Sequence, residues 1–328
     1  MLNRRQALGA AIGAVAADGL IAGRAQAETL DKVVHIIVGF PAGGGTDIVA
    51  RVLAQALQGS YASSIVVEDR PGASARLAVE YVKNAPADGS VMLFTPDFPM
   101  TLYPSSFKAL KYDPVKDFIA VGPAAKGELV LVVGPAVPAE VKTLQDFIAW
   151  CRANPANANI ADTSAGATPH FTGVMLAREA NVTLTPVHYR GGAPAMEDLI
   201  GGHVPAGVNP VSEVMAFAKA GSIRALAVTG AKRTPFLPGV PTMKELGFNV
   251  VVESLSGVFV PAKTPAPVVA ALNAAIREAS ASKQMIDSLA KFGTEPASMT
   301  TAEYTAWIKN EIARWGPVVK ASGFQALE

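Results

Sequence analysis

The sequence predicts an α/β protein with largely parallel sheets, and three observations carry that prediction. Short β-rich runs alternate with amphipathic helical patterns along most of the chain. Glycine- and proline-rich turns recur where a strand hands over to a helix. Half of the 328 residues are hydrophobic and 17% are charged, enough apolar material for a sizeable core and too little charge for a disordered chain. By length this is one large or two ordinary domains.

Residues 1–27 precede the pattern and read as an export signal cleaved after Ala27. Arg4 and Arg5, the small apolar run Ala7–Ala17 and the small-x-small triplet Ala25-Gln26-Ala27 follow its charged, apolar, cleavable order. The paired arginines also suit the twin-arginine route. Ala7 stands where that route usually has an aromatic, and Asp18 interrupts the apolar run, so both that route and Sec stay open. No later segment reaches about 18 uninterrupted apolar residues, the length of a membrane-spanning helix. The mature chain is expected in the periplasm.

The elements follow in order. Val33–Val38 is the first strand; Asp47–Gln58 is a helix with Ile48, Val49, Val52, Leu53, Ala56 and Leu57 on one face. Ile65–Val67 is a strand, Ala75–Asn84 a helix and Val91–Phe94 a strand, followed by strands at Phe118–Gly122 and Leu129–Val133. A second series begins with the helix Thr143–Ala153, which ends before Asn154-Pro155. The strand Asn159–Ala161, the helix His170–Ala180 and strands at Leu184–Tyr189, Val204–Val208 and Arg224–Val228 continue it. Val250–Val260 reads as a long strand or strand pair, and helices Ala266–Ser280 and Thr301–Ala321 close the chain. Two α/β halves with helices left over imply that the chain crosses between lobes twice.

Four strand-to-helix turns share one design. Gly43-Gly44-Gly45 precedes Thr46 or Asp47 as N-cap; Ser164-Ala165-Gly166-Ala167 precedes Thr168 as N-cap and Pro169. Gly191-Gly192-Ala193 precedes Pro194, and Asn209 is an N-cap before Pro210. Proline suits the first helical position because its missing N–H would be unbonded there. In a parallel sheet such turns gather at the carboxyl ends of the strands, where open α/β sheets bind ligands. Each helix start offers free N–H donors and a partial positive charge of about half a unit. The set describes a cleft for anions that needs few lysines.

Other chemistries find less support. No lysine follows the glycines, so a phosphate loop is excluded. A dinucleotide fingerprint matches Gly43 and Gly45 but has Ile48 in third place, while Glu68 and Asp69 stand where a ribose-binding acid would. An exported NAD-dependent oxidoreductase therefore remains the alternative of a different class. There is no hydrolase elbow, and the four histidines show no metal-ligand spacing. The lone Cys151 reads as a small core residue. With 28 basic and 27 acidic residues the chain has no surplus charge for nucleic acid. Carboxylates in the first helical turns, Asp47, Glu197, Asp198 and Glu213, are accounted for by the helix dipole, with Asp47 ambiguous inside the glycine loop. His170 suits a ligand hydrogen bond or a capping role.

At these residues the chain resembles a known family. FPAGGGTDIVARVLAQAL, VEDRPGA, YDPVKDF, VHYRGGAPAMEDLIGG, IRALAVTGAKRTPFLPGVPT and VFVPAKTP are similar, in order, to segments of the extracytoplasmic solute-binding proteins of tripartite tricarboxylate transporters, the Bug family. The resemblance runs from Val33 to Gly323. It implies a two-lobed periplasmic binding protein of type II, with a ligand cleft between two α/β lobes: residues 28–122 plus 249–328, and 123–248. It also implies capture of a small mono-, di- or tricarboxylate for delivery to the membrane components of such a transporter, by a monomer without catalysis, cofactor or metal. A ligand-sensing subunit for a signalling receptor is a further reading. The binding roles fall on Phe40, Ala42, Gly43, Gly44, Thr46 and Asp47 in the first lobe. In the second they fall on Ser164, Ala165, Gly166, Ala167, Thr168 and His170, supported by Gly191, Gly192, Ala193 and Asn209. The chain departs from the family pattern at a short second-lobe turn, at Asn209-Pro210 in place of an aspartate, and at Ser74 and Arg76 in place of glycines.

Overall fold

The computed structural model describes residues 30–324; the export-signal segment lies outside the described residues. In chain order the strands are β1 (Leu30–Val38), β2 (Ala62–Asp69), β3 (Val91–Pro96), β4 (Phe118–Val133), β5 (Asn159–Asp162), β6 (Thr185–His188), β7 (Ala206–Pro210), β8 (Arg224–Val228), β9 (Glu253–Pro261) and β10 (Glu295–Pro296). The helices are α1 (Gly45–Leu57), α2 (Arg76–Lys83), α3 (Phe98–Thr101), α4 (Tyr103–Ser106), α5 (Leu144–Ala153), α6 (Thr168–Ala180), α7 (Gly192–Ile200), α8 (Val211–Lys219), α9 (Ala266–Ala281), α10 (Lys283–Ala290) and α11 (Thr301–Ser322). Among the described residues no helix is long and apolar enough to cross a membrane.

The first lobe is built on β1, which pairs in parallel with β2 on one side and β3 on the other. Its apolar run, interrupted only by His35, has a simple cause. Val34, Ile36 and Val38 enter the core under α1 and α9, while Ile37 enters a second core under α2 and α11. A strand covered on both faces has no polar side to show, so its sequence does not alternate. Antiparallel β9 then joins β3 to β4. In the second lobe β7 and β8 run antiparallel to β4, and β5 lies parallel between β6 and β7.

The joint between the lobes is β4. Sequence predicts two strands here, because Lys126-Gly127-Glu128 interrupts the apolar run; the chain instead forms one 16-residue strand. It pairs with β9 from Phe118 to Glu128 and with β7 from Leu129 onward. The polar triplet marks the place where the strand leaves one sheet for the other. The return crossing also differs from expectation: β9 starts at Glu253, and Val250 and Val252 are buried in core beside β4. Thr229 ties the two crossings together. Its backbone N–H donates to the Leu129 carbonyl and its carbonyl accepts from Val252 N–H, both at 2.9 Å. Its hydroxyl accepts from Leu129 N–H at 3.0 Å and donates to the Val252 carbonyl at 2.5 Å.

Three helices escape the sequence pattern: α3, α4 and α10. The first two are single turns too short for periodicity to register. Helix α10 is parted from α9 by Ser282 alone, which ends the first and caps the second by accepting from Met285 N–H.

Candidate functional site

Local sequence sets the four turns facing the space between the lobes. Gly43 adopts φ +79°, which lets the first turn reverse direction at little steric cost. Its N–H donates to Asp47 Oδ2 at 2.7 Å, and Asp47 Oδ1 pairs with Arg51 at 2.7 Å. The ambiguous aspartate is thus consumed in shaping the loop. In the second lobe Asp162 Oδ1 accepts from Ser164 N–H at 3.1 Å, and its Oδ2 meets His188 Nδ1 at 2.7 Å. His170 is only 4% exposed and accepts from Gly166 N–H at 3.2 Å. Burial, helped by neighbouring His188, pushes its pKa down to about 4. His170 therefore stays neutral near pH 7, and an unprotonated Nδ1 can keep accepting.

The caps expected at these turns are corrected. The N-cap positions are Gly44 for α1, Ala167 for α6, Gly191 for α7 and Pro210 for α8, none closed by a side-chain hydrogen bond. Thr46, Asp47 and Thr168 lie inside their helices, and Asn209 lies at the end of β7. Elsewhere Thr143, Ser282 and Thr300 do close the starts of α5, α10 and α11 with their own side chains. An uncapped start leaves backbone N–H groups without an intrahelical partner.

All four uncapped starts face one cavity of about 310 Å³ between the lobes. Phe40, Ala42, Gly43, Gly44 and Thr46 line it from the first lobe; Thr168, Gly191, Gly192 and Ala193 line it from the second. Phe98, Val49, Leu129 and Pro169 give it apolar walls. The remaining candidates stand outside that lining. Ser164 borders an adjoining groove with Thr163 and Arg190. Asp47, Ala167, His170 and Asn209 are buried, and neither they nor Ala165 and Gly166 line the cavity.

Sequence reasoning missed the charged wall. Lys126, Glu128, Arg190 and Glu213 all line the cavity, with Ser212, Ser254 and Ser256. Burial raises both Glu128 and Glu213 to about 7; for Glu128 the neighbouring Glu253 and Glu295 add to the effect. The helix dipole alone accounts for Glu213 in the sequence, and its place three residues after the uncapped start of α8 is the signal that points to the cleft. Glu68 and Asp69, the acids of the dinucleotide reading, are engaged by His35, Arg70 and Arg51, and neither lines the cavity. Cys151 is a buried free thiol in the core. Among the described residues no cluster of three His, Cys, Asp or Glu could hold a metal ion.

Two α/β lobes joined by crossing strands, with opposed helix starts around one cleft, define a periplasmic solute-binding protein fold. The chain belongs to the tripartite tricarboxylate transporter family of receptors, whose family model matches residues 49–324. Protein BugT of Bordetella pertussis is 32% identical over 317 residues, 96% of this chain and 97% of that one. Among solved structures, Rpa4515 of R. palustris with adipate is 31% identical with a TM-score of 0.84, covering 90% of this chain and 98% of that one. MatC of Rhodopseudomonas palustris with bound malate is 27% identical with a TM-score of 0.79, covering 88% and 98%.

Proposed function

We propose that this protein captures a small carboxylate in the inter-lobe cleft and delivers it to the membrane components of a tripartite tricarboxylate transporter. The observation that carries this reading is the convergence of four uncapped helix starts on one cavity. Free N–H groups and helix dipoles favour an anion there without a dedicated cation. The adipate and malate bound by the two structural relatives agree with it. Phe40, Ala42, Gly43, Gly44 and Thr46 then contact ligand from one side, and Thr168, Gly191, Gly192 and Ala193 from the other. Asp47, Ser164, Ala165, Gly166, Ala167, His170 and Asn209 hold those turns in shape from behind.

The proposed mechanism is a shift of population toward the closed form, the only one in which both lobes hydrogen-bond one anion. We take the lobes to divide between Glu128 and Leu129 and again near Val252, where strand pairing changes partner. The mature protein acts as an exported monomer after cleavage at Ala27, without catalysis.

Titration calorimetry with acetate, malate, adipate, citrate and their neutral amides tests the reading. At least one carboxylate should bind well below millimolar and its amide should not. Binding of the amides with no carboxylate binding would overturn it.

A further inference from the structure

Glu213 is, with Glu128, one of two acids lining a cleft otherwise shaped for anions, and the one in a helix start. It sits in the first turn of α8, beside two of the N–H-bearing turns. Its carboxyl lies against Gly192, where a Cβ would collide with it. A Cβ on Gly45, across the cleft in the other lobe, would come within 3.4 Å of Ser212 Oγ and 3.9 Å of Glu213 Oε1. Any carboxylate bridging the starts of α1 and α7 must therefore sit next to this side chain.

No side-chain cation among the described residues pairs with the Glu213 carboxyl, so a ligand carboxylate beside it meets a second acid with only helix starts to offset the charge. Glu213 Oε2 is shielded from solvent, and the neutral side-chain amide of Asn209 is the polar group beside it. Among the described residues no Lys, Arg or His nitrogen lies within ion-pair distance of Glu213. The charged groups on the elements around it are Asp47 and Arg51 on α1, Lys126 and Glu128 on β4, Arg190 before α7, Glu197 and Asp198 on α7, Lys219 at the far end of α8 and Glu295 on β10. Asp47 is paired with Arg51, and Lys126 with Glu295. Arg190 lines the same cavity, but its side chain belongs to an exposed residue at the rim. Two adjacent carboxylates without a cation between them repel, and sharing one proton removes that repulsion.

We propose that Glu213 is a ligand-contacting residue that binds as the neutral acid, its O–H donating to a carboxylate oxygen of the ligand, so that capture takes up a proton. This rests on the carboxylate reading above and adds a selection rule. The site prefers an anion beside Glu213 and rejects a ligand that places a group without a hydrogen-bond acceptor there, because the acid would then keep an unpaired donor.

The direction with pH follows. Desolvation holds Glu213 near 7 in the free protein, the Asn209 amide working the other way. A bound carboxylate raises it further, so the complex holds more protons than the free protein above about pH 7. Affinity is flat below that point and falls as pH rises, by up to about tenfold per unit, until the bound-state value is passed.

Adipate is a suitable probe because its own carboxyls are ionised throughout this range. Calorimetry of the full mature chain with adipate, in buffers of different ionisation enthalpy at pH 7.5, should register net proton uptake. Affinity for adipate should weaken about tenfold between pH 6.5 and 8.5, and Glu213→Gln, which keeps a donor but cannot titrate, should remove that slope. Proton release, or an equal slope in the variant, would overturn the proposal while adipate binding left the carboxylate reading intact. Failure of every carboxylate at every pH would instead remove that reading, and the proton coupling with it.

Discussion

Asp47 shows how a residue that looks like a ligand contact can be the frame for one. At 3% exposure its carboxylate is spent on Gly43 N–H and on Arg51, which fixes the left-handed glycine and aims the following N–H groups at the cleft. Asp47→Ala strips a buried charge-assisted hydrogen bond and leaves Gly43 N–H bare. The expected cost is about 1–3 kcal/mol in urea unfolding, with weaker ligand binding because the loop loses its fixed shape. A change below about 0.5 kcal/mol with unaltered affinity would mean the loop holds itself. Sequence brought Asp47, His170 and Asn209 to notice by their position at turns, and in that sense the site was legible. Which way each faces was not legible. A capping position and a cleft position differ by one or two residues of helix boundary, and only the fold decides that. Glu213 shows the reverse error, since the helix dipole explains a first-turn acid whether or not a cleft lies in front of it.

At the scale of elements, alternation of apolar runs recovers most strands and long helices because burial fixes their periodicity. It fails where an element serves two cores. The polar triplet in β4 looks like a turn but is the partly buried span of one strand passing between sheets, and no local pattern distinguishes the two. The same passage makes Thr229 a test of the joint. Fully buried, it joins Leu129 on the outward crossing to Val252 on the return through its one hydroxyl. Thr229→Val keeps the shape and removes that oxygen, leaving a buried N–H and a buried carbonyl each short of a partner. Destabilisation of about 1–3 kcal/mol is expected, together with faster hydrogen exchange at the Leu129 and Val252 amides. Exchange loosened only at distant sites would remove Thr229 from the joint.

For the whole molecule, the question is whether two lobes behave as two bodies. One core cluster contains Leu102, Tyr103 and Phe107 ahead of β4, Phe147 and Phe171 beyond it, and Trp315 and Val319 from the last helix. Helix α11 enters this cluster from the first lobe, where the hydroxyl of Thr301 donates to the Val121 carbonyl at 2.9 Å. At its far end Trp315 is 1% exposed, with its ring 6.4 Å from that of Phe171. Beyond it, Phe324 meets the rings of His170 and Phe171 at 4.8 and 5.7 Å. The helix left over after the second α/β series is thus a brace whose far end lies behind the second-lobe ligand turn. Apolar surface shared in this way cannot be exposed by one lobe without cost to the other, which predicts a single calorimetric transition. A carboxylate at about a hundred times its dissociation constant should move that whole transition upward, by a stabilisation near 2.7 kcal/mol. Trp315→Ala should lower it by about 3–5 kcal/mol and weaken binding through the loss of its Phe171 contact, without splitting the peak. Two transitions in the unaltered protein, with ligand shifting only one, would show that the lobes melt separately and that the brace packs against the second lobe without coupling it to the first.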